Sequence, residues 1–121
     1  MKVFSTHFVL KGKSDYKDLA PVFPDILKAL LKEIGQMPEE EEILQMFIEI
    51  NMTDLERNRK PEGYNRKGKM RLIFPIDRKE FYIKTYNKQT DMSKMTDLIS
   101  GLLHSAGVKF EVLHNDRTDF D

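Results

Sequence analysis

Two spacings of apolar residues divide this chain, and they restrict it to a mixture of strands and helices. Between Lys2 and Lys11, Phe4, Thr6, Phe8 and Leu10 face one way while Val3, Ser5, His7 and Val9 face the other. That alternation is the mark of a strand, and Gly12 ends it. Leu44, Met46, Ile48, Ile50 and Met52 alternate with Gln45, Phe47, Glu49 and Asn51, the longest such run in the chain, which predicts a second strand. Met70, Leu72, Phe74 and Ile76 predict a third, with Pro75 marking it as an edge or a break. Asp77 to Glu80 reads as a tight turn. Phe81 to Tyr86 then reads as a strand, with Phe81 and Ile83 inward and Tyr82, Lys84 and Tyr86 outward. Val108, Phe110 and Val112 predict a last strand.

Two other stretches carry apolar residues three and four apart, as one face of a helix requires. The first holds Leu19, Phe23, Ile26, Leu27, Leu30, Leu31 and Ile34. It is expected to begin regularly near Pro24, after a loose turn over 15–20, and to stop at Gly35. The second holds Met92, Met95, Leu98, Ile99, Leu102 and Leu103, capped by Thr90 or Asp91 and stopped by Gly107. The expected order is β-α-β-β-β-α-β. It describes an α+β two-layer sandwich: a mostly antiparallel sheet of four to five strands with two helices on one face. A ferredoxin-like plait is one arrangement of that order. The 121 residues suit a single domain over 1–121.

Composition narrows the chemistry. There is no cysteine, hence no disulfide and no thiolate site. His7, His104 and His114 show no short ligand spacing, so no metal is expected. Ser5, Ser14, Ser93, Ser100 and Ser105 lack a glycine-flanked elbow. Asp77 and Glu80 suit turn chemistry better than acid–base work. No catalytic residue and no cofactor is predicted. Gly63 to Met70 approaches the phosphate-loop pattern, but Met70 offers no hydroxyl and a strand-like run follows where a helix is needed. Asn51-Met52-Thr53 matches a glycosylation sequon but lies in an expected strand. The opening residues lack a signal-peptide core, and no apolar run is long enough for a membrane span. A cytoplasmic protein with no membrane partner is therefore expected.

One segment stands out in charge. Glu56 to Arg71 carries seven basic and two acidic residues, although the whole chain has no formal net charge. Pro61, Gly63 and Gly68 mark it as a loop, expected here between two strands. Glu39 to Glu42 and the tail 115–121 are acidic. Such segregation orients association with a charged partner. The expected function is therefore a small non-enzymatic protein-binding module, an inhibitor or immunity-type partner of a toxin or nuclease being one form. The predicted contact residues are Arg57, Arg59, Lys60, Tyr64, Arg66 and Lys67. The alternatives are nucleic-acid binding through the same loop with Tyr64 stacking on a base, an accessory subunit of an enzyme, and a merely solvated loop. A homodimer through the 70–76 edge is open, with Pro75 blunting that edge.

Overall fold

The computed structural model describes residues 4–66, 70–85 and 92–115. In chain order they form β1 (Phe4–Leu10), a 3-10 turn (Tyr16–Leu19), α1 (Phe23–Glu33), α2 (Glu41–Glu56), β2 (Arg71–Ile73), β3 (Glu80–Thr85), α3 (Met92–Ser105) and β4 (Phe110–Asn115). The four strands make one sheet in the order β2-β3-β1-β4, with every neighbouring pair antiparallel. The chain is thus an α+β protein with helices packed on one face of an antiparallel sheet. Lys67, Tyr86, the cap at Thr90 or Asp91 and the acidic tail beyond Asn115 lie outside the described residues.

The alternation of β1 sets the sheet's two faces. Phe8 lies opposite Phe81 and Thr6 opposite Ile83, so these side chains share the face that meets the helices. Phe8 and Phe81 stack with ring centroids 5.0 Å apart. Leu72, Phe81 and Ile83 from the sheet join Phe23, Ile26, Leu27, Leu30 and Leu31 of α1 and Met95, Ile99 and Leu103 of α3 in one buried core. Pro24 stands in the first turn of α1, where its missing N–H costs nothing. Gly35 and Gly107 both adopt positive φ and end α1 and α3, as expected from the sequence. At Gly107, the Val108 N–H reaches back to the Leu103 carbonyl at 3.0 Å and closes the helix.

The expected strand over 44–52 is not a strand. These residues form the middle of α2, so the order is β-α-α-β-β-α-β. The reason is that α2 carries apolar residues on two faces. Ile48, Asn51 and Leu55 are buried, and Leu44 and Met52 pack beside them, while Ile43, Met46 and Ile50 point outward. Superposing two helical stripes produces an accidental period of two. Glu41 and Glu42 lie in the first turn, where negative charge favours the helix dipole. Asn58, at φ 56, ends the helix: its N–H bonds the Leu55 carbonyl and the Arg59 N–H bonds the Asp54 carbonyl. Asn tolerates this left-handed conformation better than most residues. The basic segment accordingly joins a helix to a strand. Among the described residues no helix is long and apolar enough to cross a membrane.

Candidate partner-binding surface

The segment after α2 is held in place by a buried amide. Asn51 is 2% exposed, and its Oδ1 accepts from the Gly63 N–H at 2.6 Å. Its Nδ2 donates to the Phe47 carbonyl at 2.9 Å and lies 3.4 Å from the Gly63 carbonyl. Gly63 has φ +76, and a Cβ there would sit 2.4 Å from the Leu72 carbonyl oxygen. The residue must be glycine for the chain to pass this close to β2. Tyr64 then exchanges two backbone hydrogen bonds with Leu72, at 2.8 and 2.9 Å, and covers the outer edge of β2. The β2 edge is real, as Pro75 suggested, but this bridge occupies part of it.

Burial changes the role of Tyr64. The side chain is 7% exposed, its ring meets Phe47 edge-on at 5.7 Å, and its hydroxyl donates to Gln36 Oε1 at 2.8 Å. Both ring face and hydroxyl are engaged internally, so stacking on a nucleic-acid base is not open to it. The Arg66 guanidinium lies 4.8 Å from the Phe47 ring centroid, an arrangement that holds a cation over an aromatic face. Phe47, Ile50, Asn51, Gly63, Tyr64 and Arg66 contribute to a cleft of about 140 Å³.

The other basic residues do not converge. Arg57 caps the end of α2 and is exposed. Arg59 pairs with Asp54 of the same helix at 3.1 Å, and Lys60 is exposed. This end of α2 is tied to the 3-10 turn: the Lys17 N–H donates to Asn58 Oδ1 at 3.0 Å, and Asn58 Nδ2 donates to Asp15 Oδ2 at 3.2 Å. Asp15 also receives Lys79 Nζ at 2.9 Å and the Tyr16 N–H at 2.8 Å. Burial alone would raise the Asp15 carboxyl, but the Lys79 ammonium and the hydrogen bonds outweigh it and hold the group below the usual range.

The surface that sequence reasoning missed lies on α2. Ile43, Met46 and Ile50 are 39, 46 and 41% exposed, at the spacing i, i+3, i+7. They make one apolar stripe, continued by Thr53 and Arg57 at the same heptad spacing. Glu42, Glu49 and Glu56 recur every seven residues along one side. A shallow depression lined by Glu42, Gln45, Met46, Glu49, Ile50 and Thr53 follows that side. Ile50 also borders the cleft under Arg66, so stripe and cleft are continuous. The signal was present in the sequence, but the helix had first to be recognised as one.

The sheet face turned away from the helices holds a second group of polar residues. Ser5 Oγ lies 3.0 Å from His7 Nε2, and His7 Nδ1 lies 2.6 Å from Glu80 Oε2. Arg78 Nε lies 3.4 Å from the other Glu80 oxygen, and the Tyr82 ring is 4.5 Å from the His7 ring. Tyr82 and Lys84 point away from the helices as expected, yet both are buried. The chain of contacts Glu80–His7–Ser5 has the connectivity of an activated serine. Ser5 is 3% exposed, however, so a substrate carbonyl has no approach to it. Here the three groups contact one another within the sheet. Antiparallel register brings His7 and Glu80 together from 73 positions apart, and no sequence motif foretold it. Among the described residues no group of three or more His, Cys, Asp or Glu could hold a metal ion. No family model, curated protein or solved structure matches the chain.

Proposed function

We propose that the protein is a protein-binding module that engages its partner through the outward face of α2 and the adjoining Phe47–Arg66 cleft. The observation that carries this reading is the exposed stripe Ile43, Met46 and Ile50 on a helix whose opposite face is already buried. A contiguous apolar strip rimmed by charge is the composition of a contact surface, whereas isolated exposed apolar residues need no explanation. Seven acidic residues lie in or beside α2 (Glu39, Glu40, Glu41, Glu42, Glu49, Asp54 and Glu56), and all but Asp54, which pairs with Arg59, give this surface a negative rim. The expected docking role therefore moves from the arginines to α2, with Arg57 and Arg66 at its margins. An inhibitor that covers a cationic enzyme surface is the concrete form that this charge favours. We also read the strand order β2-β3-β1-β4 as a ferredoxin-like plait with α2 inserted after α1. That architecture serves many functions and adds nothing to the choice among them.

The test is photo-crosslinking in the source cells with a benzophenone side chain at position 46, against the same group at Lys28, which is exposed on α1. The reading expects a protein crosslinked from position 46 and not from 28. Once purified, that protein must bind the wild type and lose binding to a Met46→Asp/Ile50→Asp variant. Crosslinks of equal pattern from both positions, or nucleic acid as the captured species, would refute it.

A further inference from the structure

Resting on that reading, we infer that the occupant of the α2 face is a cationic amphipathic helix of another protein, not a second copy of this chain. The spacing Ile43, Met46, Ile50, Thr53, Arg57 is the three-four alternation that a second helix meets along a seam. The stripe runs nearly the length of the sixteen-residue helix, long enough to receive a partner helix of two to three turns. A partner helix in a groove presents anchors at i, i+3 and i+7. These are the intervals that Ile43, Met46 and Ile50 offer in return.

Charge decides between partners. Glu42, Glu49 and Glu56 flank the seam at the positions that face the corresponding flank of an incoming helix. In a twofold antiparallel pairing of two α2 helices centred between Met46 and Ile50, Glu49 would approach its own copy. Glu42 would meet Glu56 of the other chain. Like charges so placed oppose self-association. Lysine or arginine at those flanking positions of a different helix would complement all three. The opposite border of the stripe holds Phe47, with the Arg66 guanidinium over its ring, and one heptad on Asp54, whose charge Arg59 already balances, so that side offers an aromatic edge and one positive charge beyond that pair. The pattern therefore fixes a direction for the partner's charge as well as its sign: basic residues on the Glu42–Glu49–Glu56 side, apolar residues on the Phe47 side.

The experiment uses the whole protein and two synthetic helices of about three heptads, with leucine along the seam. One carries lysine and the other glutamate at the flanking positions. Binding is read by fluorescence anisotropy at low and moderate salt, and self-association by sedimentation equilibrium. The lysine helix is expected to bind wild type at least roughly tenfold more tightly than the glutamate helix does, and the difference should shrink as salt rises. Met46→Asp/Ile50→Asp should abolish binding with its far-ultraviolet circular dichroism unchanged, because both positions are exposed. Glu42→Lys/Glu49→Lys/Glu56→Lys should reverse the preference between helices. Equal binding of both helices that still depends on Met46 and Ile50 would overturn the cationic partner while leaving the α2 face as the interface. A wild-type dimer that Met46→Asp dissociates would overturn the heterologous partner. Binding by neither helix would overturn the helical form of the partner, and the crosslinking at position 46 then decides the interface separately.

Discussion

Replacing Asn51 tests whether one buried amide positions the segment that completes the proposed surface. Asn51→Ala removes the acceptor for the Gly63 N–H and the donor to the Phe47 and Gly63 carbonyls. Each lost hydrogen bond is worth about 0.5–1.5 kcal/mol net, and orphaning a buried donor costs about 1–3 kcal/mol. Gly63 is only half-buried, so water recovers part of that cost and the low end applies. Alanine also forms helix better than asparagine by about 0.6 kcal/mol, which offsets some of the loss. The net expectation is a destabilisation of about 2 kcal/mol in urea unfolding. Asn51→Asp sharpens the argument because it preserves shape. The carboxylate keeps the bond from the Gly63 N–H but cannot donate, and it faces two carbonyl oxygens at a buried site. It should destabilise at least as much as alanine at neutral pH and recover partly in acid. Amide exchange provides the local readout: Tyr64 and Leu72, which bond each other across the bridge, should lose protection in both variants. A change below about 0.5 kcal/mol for alanine, or an aspartate variant equal to wild type, would refute the role assigned to Asn51.

Other positions give independent checks. Gly63→Ala should destabilise by about 2–4 kcal/mol, because its Cβ meets the Leu72 carbonyl at a positive φ, whereas Gly101→Ala in α3 meets nothing and should stabilise by about 0.5–1 kcal/mol. Thermal melts of the pair settle both. Glu80→Ala leaves His7 Nδ1 buried without its carboxylate and should cost about 1–3 kcal/mol, measured by urea unfolding at neutral pH. The lowered Asp15 carboxyl contributes stability that is present above its unfolded value of about 3.9 and is lost as pH falls through its lower folded value. The stability difference between wild type and Asp15→Ala should therefore be constant near neutrality and narrow below about pH 4.

The fold was legible where each element has one apolar face. In β1 the alternation put Phe8 and Leu10 on one face, which is the face that meets the core, and α1 and α3 were found from single stripes bounded by Gly35 and Gly107. The strand at 80–85 was also found, but its outward residues Tyr82 and Lys84 are buried. Alternation tells which way a side chain points and not what surrounds it. The polar set Ser5, His7 and Glu80 was invisible because it depends on strand register, which no local pattern encodes. Tyr64 was expected on the surface because charged neighbours surround it. The bridge to Leu72 and the hydroxyl bond to Gln36 draw it inward instead.

The error over 44–52 has a different origin, and it bears on function. A helix that packs one face on a core shows one stripe, and its sequence reads as a helix. The buried side of α2 supplies Leu44, Ile48, Met52 and Leu55, while Ile43, Met46 and Ile50 form the outward stripe. Those outward residues are not needed to bury α2, and two of them, Met46 and Ile50, are the ones that turned a period of 3.6 into an apparent period of two. Polar residues at 43, 46 and 50 would restore a simple amphipathic helix with the same buried contacts. Such a replacement, Ile43→Gln/Met46→Gln/Ile50→Gln, should leave stability within about 1.5 kcal/mol of wild type, since each surface change away from packed features rarely exceeds about 0.5 kcal/mol. Partner binding should be lost at the same time. Urea unfolding and anisotropy with the lysine helix measure the two quantities on one sample. A large loss of stability would mean that the stripe serves the fold, and the conflict between local pattern and observed helix would then carry no functional meaning.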